Sequence, residues 1–217
     1  IIQFVTNPAF GDLDGDGVPD PVIGGGNSLY LLTLALRTHM DYQQAAIAWS
    51  GADGSTLKGW PRQIEDVQFI VAPAIADLSG DGAPEAVLGS GGYLLHAWDA
   101  DGNEPEGWPK FTGNWILGSP AVGDIDGDGY VEVAVSTREG WLFAWRTAGH
   151  ADQDIQWQSI HHDAQNTGNY EMPLPTQAGP VLEEGGCCSG RNKETVAAWM
   201  LFPLGLGMWR RRRPVIG

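Results

Sequence analysis

The chain has 217 residues, with 31 Gly, 14 Pro and 10 Trp, and only 12 Lys and Arg against 27 Asp and Glu, for a formal net charge of −15. Its one basic cluster, Arg210 to Arg213, sits near the end, so the grouped cations that attract a phosphate backbone are missing and nucleic acid is excluded as a partner. Cys187 and Cys188 are the only cysteines and lie far from the acidic segments, so no disulfide framework is expected in the body of the chain.

In chain order, the first feature is Asp12-Leu-Asp14-Gly-Asp16-Gly-Val-Pro-Asp20. It returns as Asp77-Leu-Ser79-Gly-Asp81-Gly-Ala-Pro-Glu85 and as Asp124-Ile-Asp126-Gly-Asp128-Gly-Tyr-Val-Glu132. The spacing gives a period near 47 residues, with an insertion of about 18 in the first unit around Arg37 to Gln44. Each unit predicts four short strands. One starts at Pro-Ala (Pro8-Ala9, Pro73-Ala74, Pro120-Ala121) and runs into the acidic loop, and a second leaves that loop. A third ends at Trp49, Trp98 or Trp145, and a fourth surrounds Gly-Trp-Pro (Trp60-Pro61, Trp108-Pro109), with Gln156-Trp157-Gln158 in its place in the last unit. A four-stranded unit at this period points to an all-β chain of β-propeller blades, at about residues 1–66, 67–114 and 115–170.

The loops carry oxygen at positions 1, 3, 5 and 9, with a backbone carbonyl expected at position 7. That donor set suits Ca2+, which takes six to eight oxygens at about 2.3–2.6 Å, better than Mg2+, which demands a stricter octahedron. Glycine at positions 4 and 6 lets the backbone wrap round the ion. An EF-hand would need Glu at position 12, where this chain has Ile23, Leu88 and Val135, so the loops are read as sitting between strands. The competing reading is three Asp- and Gly-rich turns without metal. The expected ligands are Asp12, Asp14, Asp16 and Asp20; Asp77, Ser79, Asp81 and Glu85; and Asp124, Asp126, Asp128 and Glu132.

The pattern Pro-Ala, acidic loop, apolar strand and Gly-rich turn resembles the FG-GAP/VCBS repeat of integrin-α-like propellers. The resemblance covers about residues 1–170 and implies seven-bladed, calcium-binding propellers with adhesive or ligand-binding roles in secreted or surface proteins. Three blades are present here, and Ser79 replaces an acid. Ile1 to Val5 aligns with Val67 to Val71, so further blades are expected upstream.

The segment His161-His162-Asp163, leading to Thr167-Gly168, is similar to one that closes bacterial propellers of this type. Structural closure is expected of it, with a zinc site or acid–base chemistry as the alternative, since His titrates near neutrality. Residues 171–190 read as a Pro- and Gly-rich linker, and 191–217 as a C-terminal segment in which Val196 to Trp209, an uncharged run before the arginines, is expected to form an apolar helix that Pro203 weakens. That run is short of the roughly 20 residues that span a bilayer. Gly-Cys, apolar stretch and Arg cluster together resemble the MYXO-CTERM sorting signals. This implies processing or lipidation at Cys187 or Cys188, membrane attachment through the tail, and display on the outer face of the cell. A plain C-terminal anchor is the alternative. Ile1 is not followed by a charged and apolar leader, so a signal peptide is expected outside this chain.

No nucleophile elbow, His-Glu-x-x-His or paired-acid constellation appears outside the loops, so binding is expected here and not chemistry. The ligand would be a surface protein or polysaccharide, held at one end of the propeller or at its central opening. The alternative is the propeller part of a secreted polysaccharide lyase or hydrolase. Trp49 with Trp98 and Trp60 with Trp108 recur at matching positions and are expected to pack between blades, whereas Trp115 lies outside that register and is the expected contact residue.

Overall fold

The computed structural model describes residues 6–26, 44–68, 71–152 and 155–174. Cys187, Cys188 and the whole tail lie outside the described residues, as does nearly all of the insertion in the first unit. The described residues are all β, and none of them forms a helix long and apolar enough to cross a membrane.

The strands follow the predicted repeat. β1 (Ala9–Gly11), β2 (Asp20–Gly26), β3 (Gln44–Ala48) and β4 (Arg62–Gln63) form one antiparallel sheet in that order. β5 (Ala74–Ala76), β6 (Glu85–Gly89), β7 (Leu94–Trp98) and β8 (Lys110–Phe111) form a second, and β9 (Ala121–Gly123), β10 (Tyr130–Ser136) and β11 (Leu142–His150) a third. Equivalent residues pair alike: Ala9 faces Val22, Ala74 faces Val87 and Ala121 faces Ala134. The last strand departs from the expectation. β12 (Ile155–Trp157) does not become the fourth strand of the third sheet but pairs antiparallel with β5, as a fifth strand of the second. It also touches the first strands of the other two sheets. Asp12 N–H donates to Gln156 Oε1 at 2.6 Å, and Val122 N–H donates to the Gln158 carbonyl at 3.0 Å. The ground between β1, β5 and β9, where a central opening was expected, is therefore held by β12.

Alternation along the strands explains how the sheets stack, because successive side chains point to opposite faces. The second sheet sends Ile75, Ala86, Leu88 and Trp98 to a core shared with the first sheet. It sends Ala74, Ala76, Val87, Leu95 and Ala97 to a core shared with the third. Covered on both faces, β6 is buried at every position. β11 has no such second cover, and from Leu142 to Ala148 it alternates exposed and half-buried residues. Alanine at the facing positions keeps the sheets close, while Trp60 and Trp98 fill the first junction edge to face at 5.8 Å.

Candidate metal centres

The acidic loops join β1 to β2, β5 to β6 and β9 to β10, so each is the turn of a hairpin whose register fixes both of its ends. Glycines at positions 4 and 6 adopt φ of 75° and 87° in the first loop and 78° and 89° in the second, a region that L side chains avoid. The same hydrogen bonds then recur. The first acid takes the amide of position 6: Gly17 to Asp12 at 3.0 Å, Gly82 to Asp77 at 2.9 Å and Gly129 to Asp124 at 3.0 Å. The last acid takes the amide of position 2: Leu13 to Asp20 at 2.9 Å, Leu78 to Glu85 at 2.7 Å and Ile125 to Glu132 at 2.8 Å.

Folded in this way, each loop gathers acids that could hold a metal ion. The groups are Asp12, Asp14 and Asp20; Asp77, Asp81 and Glu85; and Asp124, Asp126 and Glu132, with one carboxylate oxygen from each residue lying within 4.8 Å of the others. Nine of the twelve expected ligands, all of them acids, fall in these clusters, and the other three, Asp16, Ser79 and Asp128, turn elsewhere. Asp16 Oδ1 accepts the amide of Val18 at 2.8 Å, and Asp128 Oδ2 accepts from Arg146 Nε at 2.7 Å. Ser79 Oγ accepts the amide of Asp81 at 3.3 Å.

The donor set fits a hard cation, and two atoms say so independently of the motif. Asp12 Oδ1 and Glu132 Oε1 are both buried without any hydrogen-bond donor. A carboxylate oxygen cut off from water with no donor is costly, and a bound cation removes the cost. Glu85 carries the same signature in its titration: burial pushes its carboxyl up to about 7, against the Leu78 amide and Ser79 hydroxyl that hold it down. Burial also raises Glu132, with Asp126, Asp128 and Asp124 adding to it, and raises Asp14, where Asp20 is the next cause.

The His-His-Asp segment is a turn after β12 and holds no clustered metal ligands. His161 is exposed, whereas His162 is buried at φ 78° and meets Trp157 edge to face at 5.0 Å. Asp163, also buried, accepts from the hydroxyl and amide of Thr167, from the Gln165 amide at 2.9 Å, and lies 3.2 Å from His162 Nδ1. Led by the Thr167 hydroxyl, these donors bring its carboxyl down to about 2. The Asp163 carboxylate is thus spent on the turn itself.

One titratable cluster was not legible in the sequence. His96, buried on β7 and stacked on Trp98 at 4.7 Å, has Glu104 Oε1 at 2.7 Å from Nδ1 and Glu65 Oε2 at 3.0 Å from Nε2. Its partners stand 31 and 8 residues away with no shared motif, so only the stacking of the sheets reveals it. Trp115, the expected contact residue, packs over Gly91 with the Arg138 guanidinium 5.3 Å from its ring. Comparison with models of known protein families and with curated proteins returns no match for this chain.

Proposed function

We propose that the chain is a calcium-binding module of the FG-GAP/VCBS propeller kind, which holds a surface ligand and performs no chemistry of its own. The observation that carries this reading is the pair of buried, donorless carboxylate oxygens, Asp12 Oδ1 and Glu132 Oε1, in two of three loops built on one hydrogen-bond plan. Oxygen-only sites of this kind, with acids at one end and a backbone turn at the other, suit Ca2+. The three sheets, each begun by a strand that meets β12, are consistent with blades of a larger propeller. Display on the outer face of the cell follows from the tail resemblance at Cys187 and Cys188.

The test is a melt of the purified chain in calcium, in magnesium and with chelator. Calcium should raise the melting temperature well beyond magnesium, since saturation at a hundredfold excess over the dissociation constant adds about 2.7 kcal/mol per site. Superimposable curves in calcium and chelator would remove the basis for the proposal.

A further inference from the structure

The two junctions between sheets are built from the same sequence elements and end differently. At the first, the Trp60 indole N–H donates to the carbonyls of Asp99 and Ala100, both at 3.2 Å, so the Gly-Trp-Pro turn of one unit closes on the residues after Trp98 of the next. By repeat position, Trp108 corresponds to Trp60, and Arg146 and Thr147 correspond to Asp99 and Ala100. These do not close on one another. Trp108 and Lys110 line a cavity of about 410 Å3 together with Arg146 and Thr147 of β11, and Leu78 and Ser79 of the second acidic loop also line it. That volume lies in the range of small-ligand sites.

The chemistry of the walls is unlike the rest of the surface. The described residues of this acidic chain hold five basic side chains, Lys58, Arg62, Lys110, Arg138 and Arg146, and two of the five face this cavity. Lys58 is paired with Asp101 and Arg138 with Glu139, while Lys110 has no carboxylate partner among the described residues and stands 5.3 Å from the Trp108 ring centroid. Arg146 gives Nε to Asp128, at 2.7 Å, and lies over the Tyr130 ring at 3.7 Å with a further side-chain hydrogen bond to Tyr130, and its half-exposed, five-donor guanidinium has more donors than these two partners take up. Trp108, half-buried against the core, adds a flat apolar wall beside these donors.

We infer that this cavity binds an acidic sugar residue, with the sugar's C–H face against the Trp108 indole and its carboxylate between Lys110 and Arg146. An indole offers a broad, rigid face with little conformational entropy to lose, and charge-assisted bonds from Lys and Arg select an anion over its neutral counterpart. Glu106 is the opposing charge at the same cavity, and it limits affinity for an anion. The inference rests on the reading of the chain as a binding module and names the ligand class of that module.

The experiment is titration calorimetry of the full chain in saturating calcium with trigalacturonate and with neutral galactotriose. Trigalacturonate should bind about tenfold or more tightly than the neutral sugar, and should weaken as salt is raised. Trp108→Ala and Lys110→Gln should each lose about tenfold in affinity, and Glu106→Gln should gain. Lys110 and Glu106 are peripheral to the core, so these two variants carry the test if Trp108→Ala does not fold. Equal binding of both sugars, no binding of trigalacturonate, or binding untouched by Lys110→Gln and Glu106→Gln would overturn the inference. A calcium-dependent melting shift, recorded on each variant, separates these failures from failure of the calcium reading: the shift persists in the first case and is missing from the wild type in the second.

Discussion

Glu132 accepts the amide of Ile125 through Oε2 at 2.8 Å and keeps Oε1 buried without a donor, so a single carboxylate both shapes the loop and presents charge to its centre. Glu85 with Leu78 and Asp20 with Leu13 repeat the first half of this arrangement. The two roles separate by substitution. Glu132→Gln retains an acceptor for Ile125 and should weaken calcium at the third loop by tenfold or more, with little change in the melt under chelator. Glu132→Ala should also lower the chelator melt, by about 1–3 kcal/mol for the stranded amide. Calorimetric calcium titration and paired melts check both.

The second loop should be the weakest of the three. Each loop brings three carboxylates into its cluster, but the second replaces the position-3 acid with Ser79 and so carries three acids within its nine residues where the other two carry four. Ser79→Asp should tighten it, and Asp126→Ala should cost the third loop more than Ser79→Ala costs the second. Site-resolved titration of these variants against the parent decides, and an Asp126→Ala variant with unaltered calcium affinity would contradict the ligand assignment.

Calcium binding at the second loop should also depend on pH. Without metal, the fold raises Glu85 from 4.5 to about 7, so between those values the native state holds a proton that the unfolded chain has released. Its contribution to stability is present below pH 4.5 and is lost as pH rises through 7. Calcium must displace that proton, so below pH 7 the affinity should fall by up to about tenfold per pH unit. Titrations at three pH values, in buffers of different ionisation enthalpy, measure the proton released.

The opposite sign applies at Asp163. Its carboxyl is lowered from 3.8 to about 2, so its contribution is present above pH 3.8 and is lost as pH falls through 2. The gap in melting temperature between the parent and Thr167→Val should be steady from neutrality to mild acid and should narrow below pH 3.8. Of the two histidines, buried His162 and exposed His161 should separate cleanly: His161→Ala should stay within about 0.5 kcal/mol of the parent, and His162→Ala should be clearly destabilised.

β11 should drive association. Trp141 and Leu142 are 63% and 74% exposed at the position where β7 receives β8, and no described strand pairs with that edge of β11. An open, apolar strand edge templates pairing with another chain. Leu142→Lys should therefore reduce concentration-dependent self-association in light scattering without lowering the melting temperature.

Most of this architecture was legible because it repeats. Pro-Ala, the acidic loop, the Trp of the third strand and Gly-Trp-Pro located β1 to β11 and the three clusters, although β11 runs on past Trp145 to His150, since period-2 burial and the metal-loop spacing are both local signals. β12 was assigned to the wrong sheet because Gln156-Trp157-Gln158 looks like any short strand, and its partner is chosen by where β1, β5 and β9 converge. Trp60 and Trp108 share Gly-Trp-Pro, yet one closes a junction and the other lines a cavity. The difference lies across the junction, where Asp99-Ala100-Asp101-Gly102 makes a turn and Arg146 to Gly149 continues as strand. The Glu65–His96–Glu104 contact left no trace in spacing for the same reason.

The placement of β12 also bears on the order of folding. Each sheet is a chain of neighbouring hairpins, joined by contacts close in sequence, and such contacts form early. β12 has no local partner. Its bonds reach from Gln156 back to Asp12 and from Ile155 to Ala76, so the strand can dock only after the hairpins that present those residues exist. The last step to the native state should then be a long-range insertion whose rate follows the length of the loop that must close more than the stability of any one sheet.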